Sequence, residues 1–271
     1  MTGSIPDSLI TRHSLRENRD HLRILLAEDN AVNQLLALRL LEKQGHIVTT
    51  AANGRKALDA LENQPYDVIL MDVQMPEMDG WEATRAIREE EKATGRHIPI
   101  VAVTAHAMKG DEDLCLAAGM DYYLTKPLRT QDLLGILEKI VNQKAKPEPA
   151  IAVSPHRSSR DAVDLAGVLE RLDGDRALFD ELTRTFEEEC PRTVDGMRRA
   201  IASHDAKSLE HFAHNLKGSS ASLGALAVSE AAAEIERLAR SENLENTRDQ
   251  FTVLQNEIER MFSELEVLRQ T

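Results

Sequence analysis

Rings are scarce in this sequence. Aromatic residues make up 3 % of the 271-residue chain, too few for a platform on which nucleobases stack. Positive charge is in deficit too: 33 Lys and Arg stand against 46 Asp and Glu, a formal net charge of −13. A field of that sign repels phosphate backbones, so no nucleic acid is expected as partner. No apolar run approaches the roughly 20 residues a membrane helix needs, so no membrane contact is expected of this chain itself. The first twenty residues lack the apolar core of a signal peptide, and Arg12, Arg16, Glu17 and Arg19 crowd them. Cys115 and Cys190 lie far apart without metal-type spacing and read as two reduced thiols in a cytoplasmic protein. What is present is an ordinary globular share of hydrophobic residues, 42 %. At roughly 100–200 residues per domain, the length suggests about two domains.

The pattern divides the chain accordingly. From residue 21 to 143, short β-rich runs alternate with longer amphipathic stretches. The runs are Leu22 to Ala27, His46 to Thr50, Asp67 to Met71, Ile98 to Val103 and Asp121 to Leu124. Helical patterns such as Val32 to Gln44 and Trp81 to Lys92 lie between them, and Gly45 stands where a helix stops. Five strands alternating with helices imply an α/β fold, a doubly wound parallel sheet covered on both faces. Residues 144–163, with Pro147, Pro149 and Pro155 and no periodicity, have linker composition. From 164 to 271 every apolar pattern is helical. Three stripes stand out: Leu178, Leu182, Thr185 and Phe186; Leu209, Phe212, Ala213, Leu216 and Leu223; Leu254, Ile258, Met261, Phe262 and Leu265. Four or five helices with short loops read as an all-α antiparallel bundle.

In an open parallel sheet, functional groups gather beyond the carboxyl ends of the strands. Here those ends carry Glu28 and Asp29, then Asp72, Thr104 and Lys126. Each acid alone reads as a solvated loop residue at a helix start; five such groups at strand ends do not. Clustered carboxylates repel one another, and a hard divalent cation relieves the repulsion; Mg²⁺ fits because it takes oxygen ligands. A cation, an ammonium and a hydroxyl are what a phosphoryl group in transfer requires. Asp72 is the available nucleophile, forming an acyl phosphate. A haloacid-dehalogenase-type phosphatase is the rival enzyme, but its second acid is missing, because Gln74 stands two residues after Asp72.

The runs Glu28-Asp29-Asn30, Met71 to Gly80, Val103-Thr104-Ala105 and Leu124-Thr125-Lys126-Pro127 resemble the receiver domain of two-component response regulators, a flavodoxin-like fold. The resemblance covers residues 21–143. It implies Asp72 as phosphoacceptor and Glu28, Asp29, Asp72 and the backbone carbonyl of Gln74 as Mg²⁺ contacts. It further implies Thr104 and Lys126 as phosphoryl-binding groups, a cis Lys126–Pro127 peptide and Tyr123 as an aromatic switch. Gln74 and His106 fall where receivers tune dephosphorylation.

A second constellation is Ala213-His214-Asn215-Leu216-Lys217-Gly218-Ser219. On a helical wheel at about 100° per residue, His214 lies roughly 150° from the apolar stripe and is expected to face solvent. Lys217 and Gly218, at i+3 and i+4, are its surface neighbours. An exposed imidazole is a competent nucleophile near neutral pH, and a cation one turn away steadies a phosphoryl group on it. Glycine in mid-helix costs roughly 1 kcal/mol against alanine, offset by clearance for a close approach. His204 and His211 lack these neighbours and read as surface residues. Glu187, Glu188 and Glu189 read as a solvated face. The run resembles the histidine-containing phosphotransfer (HPt) domain, a four-helix bundle. The resemblance implies His214 as the phosphorylated residue, Lys217 as its electrostatic helper and Gly218 as the clearance position.

The pair implies a phosphorelay. An upstream sensor histidine kinase phosphorylates Asp72, Asp72 passes the group to His214, and a downstream response-regulator receiver domain takes it. A linker of about 20 residues has an r.m.s. span near 25 Å, so transfer within the chain is possible. The chain has no ATP-binding kinase core or Walker-type loop. Ile10 to Glu17 resembles the segment before receivers in hybrid kinases, which suggests either the C-terminal part of such a kinase, tethered to a membrane sensor, or a stand-alone relay protein. The alternative function is a phosphorylation-switched binding module whose helical domain docks a partner without carrying phosphate. A DNA-binding regulator is disfavoured, since the bundle has no basic recognition helix.

Overall fold

The computed structural model describes residues 21–105, 111–142, 162–242 and 244–269. His106, the leader up to residue 20 and most of the expected linker lie outside the described residues.

Five parallel strands form one sheet: β1 (Arg23–Ala27), β2 (Ile47–Ala51), β3 (Val68–Asp72), β4 (Ile100–Thr104) and β5 (Tyr122–Thr125). Their order is β2-β1-β3-β4-β5, the flavodoxin-like order, which reverses between β1 and β3. All five residues of β3 and of β4 are buried, as covering both faces of a central strand requires. Alternate residues feed two cores. Ile24, Leu26, Leu70, Val101 and Val103 meet α1 (Ala31–Lys43) and α5 (Thr130–Asn142). Leu25, Ile69, Met71, Ile100 and Ala102 meet α2 (Gly54–Asn63), α3 (Gly80–Thr94) and α4 (Asp111–Ala117). The period of two thus sends successive side chains to opposite helical layers.

The second half is helical: α6 (Leu165–Arg171), α7 (Arg176–Ser203), α8 (Ala206–Ser222), α9 (Leu226–Arg240) and α10 (Thr247–Arg269). Aspartates Asp164, Asp175 and Asp205 cap α6, α7 and α8, each accepting from a backbone N–H three residues on. Such caps satisfy donors that the first turn leaves open. The expected stripes form the core: Leu182, Phe186, Leu209, Leu216, Leu254 and Met261 are all buried. Cys190 lies in this core, and burial pushes its thiol up to about 12. Ala162 and Val163, the last two residues of the expected linker, are buried too, and the Ala162 N–H donates to Glu264 at 2.6 Å. These two small apolar residues beside a helix cap are thus buried at the end of the expected linker, with Val163 in the bundle core. Among the described residues no helix is long and apolar enough to cross a membrane.

The apolar side of α1 is continuous with the bundle core, and polar pairs border the joint. Arg39 reaches Glu181 at 2.7 Å, Lys43 reaches Asp175 at 3.0 Å, and the Thr130 hydroxyl donates to the Arg171 carbonyl at 3.0 Å. This packing sets α8 against the carboxyl end of the sheet.

Candidate functional site

The reversal of strand order opens a crevice beyond β1 and β3, and the acids stand there. Glu28 and Asp29 follow β1 directly, and Asp72 ends β3. One oxygen from each of the three lies within 4.8 Å of the others. A Cβ at Gly80 would run into the Asp72 backbone carbonyl, so the loop after β3 closes this tightly only with glycine there. Lys126, after β5, is buried and reaches Asp72 Oδ2 at 2.6 Å and Glu28 Oε2 at 2.7 Å. The Gln74 N–H donates to Asp72 Oδ1 at 3.2 Å. Thr104 ends β4 and is buried, and Tyr123 is half-buried in β5. The Lys126–Pro127 peptide is cis.

The electrostatics follow from burial. Loss of water, then the neighbouring Asp72, pushes the Glu28 carboxyl up to about 8 against the pull of Lys126. Asp29 is raised by the same two causes and lowered by a hydrogen bond from Asn215. Burial alone would lower the Lys126 ammonium, but Asp72 and Glu28 more than offset it and hold the group above its ordinary value. Asp29 Oδ1 and the side-chain oxygen of Gln74 are buried without a hydrogen-bond partner. A buried, unpaired carboxylate oxygen beside two further carboxylates fits a hard cation such as Mg²⁺.

His214 is not exposed. It is 5 % accessible, and its Nδ1 lies 2.9 Å from Glu236 Oε1 on α9. The wheel counted the faces of one helix. It could not register that α9 sets Glu236 against His214, or that the acidic end of the sheet meets the adjacent Asn215 and Gly218. Asn215, beside His214, donates to Asp29 Oδ2 at 2.9 Å, and its carbonyl accepts from Asn30 at 2.9 Å. A Cβ at Gly218, one turn on, would come within 3.0 Å of the Asn33 amide nitrogen. Lys217 does not point outward either: its ammonium bonds Glu236 Oε2 at 2.6 Å. His211, read as a plain surface residue, stands 3.6 Å from Asp29.

Four residues of this arrangement escape the sequence reading. Glu236 binds His214, Lys217 and Arg240 together. The His214 hydrogen bond and the Lys217 ammonium outweigh its burial and hold its carboxyl down at about 2. Its signal is an acid set between Ile235 and Leu238, both buried. Asn33 is buried, donates to Glu28 at 3.3 Å and accepts from Ser222 at 2.9 Å. Asn33, Asn215 and Ser222 carry no pattern, because their partners lie more than 180 residues away or in the acidic cluster.

Comparison with known proteins gives two family matches. Residues 24–138 match the model of the response regulator receiver domain, and residues 181–264 match that of the Hpt domain. The chain is 34 % identical over 231 residues to the sensor histidine kinase GacS of Pseudomonas protegens, covering 82 % of this chain and 24 % of that protein. It is 49 % identical over 120 residues to the hybrid signal transduction histidine kinase I of Dictyostelium discoideum, covering 42 % of this chain and 7 % of that one. The chain therefore spans a quarter or less of these relatives. Among solved structures, it is 45 % identical to the receiver domain of a sensor histidine kinase from Pseudomonas aeruginosa PAO1, crystallised with a magnesium ion in its active-site cleft. That match covers 45 % of this chain and 98 % of the other, with a TM-score of 0.42.

Proposed function

We propose that this chain, which belongs by its two parts to the response regulator receiver and Hpt families, is the middle of a phosphorelay. Asp72 accepts a phosphoryl group from a histidine of an upstream sensor kinase. His214 takes it from Asp72, and a receiver domain of another protein takes it from His214. The observation that carries this reading is the seating of α8 on the acidic crevice, with Asn215 bonded to Asp29 beside His214.

In the first step a carboxylate oxygen of Asp72 attacks phosphorus. The P–N bond to the donor imidazolium breaks, and its electron pair stays on that nitrogen as the lone pair of a neutral imidazole, whose other nitrogen keeps its proton. In the second step the lone pair of His214 Nε2 attacks the acyl phosphate. The P–O bond breaks and its electron pair returns to the Asp72 carboxylate. Nδ1 carries the ring proton toward Glu236, which leaves the lone pair on Nε2 and steadies the imidazolium formed on phosphorylation. Lys126 and the Thr104 hydroxyl hold the phosphoryl oxygens, Lys217 adds positive charge beside His214, and Tyr123 serves as the switch residue. Glu28, Asp29, Asp72 and the Gln74 backbone carbonyl would hold Mg²⁺, which supplies positive charge against the phosphoryl oxygens. Cys115 and Cys190, both buried and neither in a disulfide, accord with a reducing, cytoplasmic setting.

The test uses a radiolabelled small acyl phosphate with Mg²⁺. Label should appear as base-labile acyl phosphate and as acid-labile, base-stable phosphohistidine. Asp72→Ala should abolish both, and His214→Gln should leave only the first. Full phosphohistidine yield in Asp72→Ala would overturn the order of transfer.

A further inference from the structure

We infer that Asn215 and Ser222, both on α8, are positioning residues for the metal pocket of the receiver, so that Mg²⁺ binding and docking of the two domains are linked. This rests on the reading of the acidic crevice as a Mg²⁺ site.

Asp29 is held by one oxygen and unpaired at the other. Asn215 donates to Oδ2 at 2.9 Å, while the buried Oδ1 has no hydrogen-bond partner. A carboxylate fixed in this way presents a chosen oxygen to the pocket, as residues behind metal ligands commonly arrange. Asn215 is itself pinned, since its carbonyl accepts from Asn30, the residue that caps α1.

The second contact is indirect. The Ser222 hydroxyl donates to Asn33 Oδ1 at 2.9 Å, which leaves the Asn33 nitrogen facing Glu28 Oε1 at 3.3 Å. An asparagine amide offers an acceptor on one side and donors on the other. A hydroxyl donor on the oxygen side fixes which of them meets Glu28; a flipped amide would set oxygen against oxygen. Glu28 is then held by Asn33 and Lys126 together.

Both contacts exist only while α8 is docked. Docking also withdraws water from three carboxylates whose oxygens lie within 4.8 Å of one another. A cation offsets that repulsion most where water is least able to screen it. Mg²⁺ therefore binds the docked form more tightly, and by reciprocity favours docking by the same factor.

The experiment titrates MgCl₂ into the full chain by calorimetry and follows amide hydrogen exchange in α8. Asn215→Ala should weaken Mg²⁺ by about tenfold, within the range typical of partners behind metal ligands, and Ser222→Ala should weaken it in the same direction. Lys92→Ala removes an exposed ion pair with Glu89 within α3, outside the joint, and should change the affinity by less than twofold. Saturating Mg²⁺ should slow exchange in α8 of the parent protein and slow it less in Asn215→Ala. Unchanged affinity in both α8 variants, an equal loss in Lys92→Ala, or no Mg²⁺ effect on α8 exchange would overturn the inference and leave the relay intact. No Mg²⁺ binding by the parent protein at millimolar concentration would overturn the metal site itself.

Discussion

Gly218 sets two effects against each other. Replacing a mid-helix glycine by alanine favours the helix by about 1 kcal/mol. A Cβ there would meet the Asn33 nitrogen at 3.0 Å, and Asn33 is held from both ends by Glu28 and Ser222, so it has little room to yield. Gly218→Ala should therefore leave the bundle as stable as before, or more so, while slowing transfer from Asp72 to His214 by tenfold or more; urea midpoints and single-turnover labelling would separate the two. Glu236 carries a pH signature. Its carboxyl is depressed from 4.5 to about 2 by His214 and Lys217 despite burial. A depressed acid stabilises the fold fully above its unfolded pKa, and that stability is lost as pH falls from about 4.5 toward 2. The ceiling on the loss is about 3 kcal/mol. Urea denaturation against pH should show this slope in the parent protein and a shallower one in Glu236→Gln.

Between elements, α1 is the part that joins the two halves. Its apolar face shares a core with the bundle, and its outer edge pairs with α7. The Arg39–Glu181 pair has both side chains about 40 % exposed, so solvent screens it and it contributes little. A double-mutant cycle on Arg39→Ala and Glu181→Ala, read through amide exchange in α8, should give a weak coupling that shrinks further in high salt. The docking is therefore held mainly by burial at the joint, with the ion pairs setting register along α1.

For the molecule as a whole, one chain carries both the proposed phosphoryl donor, Asp72, and its proposed acceptor, His214. Transfer from Asp72 to His214 should then be first order, with a rate constant unchanged over roughly a hundredfold range of protein concentration, because the tether fixes the effective concentration. Doubling the connecting segment between α5 and α6 with a flexible insert should reduce that concentration by about threefold, following the −3/2 power of length. A rate constant that climbs with protein concentration would mean that transfer runs between molecules.

The alternation of strands and helices, the three clustered acids, Lys126 and the helical stripes were all legible, because each rests on a local pattern or on the rule that sites lie beyond strand ends. Asp72 could be read from its place at the end of an apolar run, and His214 from Lys217 and Gly218 at helical spacing. The burial of His214 and the contacts of Asn33, Asn215 and Ser222 could not be read. A helical wheel ranks the faces of one helix against its own core; it has no account of Glu236 on the next helix meeting His214, or of a second surface arriving from more than 180 residues away. By itself the sequence determined which chemistry each half carries. Only the tertiary structure decided that α8 closes over the acidic pocket, because that outcome depends on the apolar face of α1 finding its cover in the bundle.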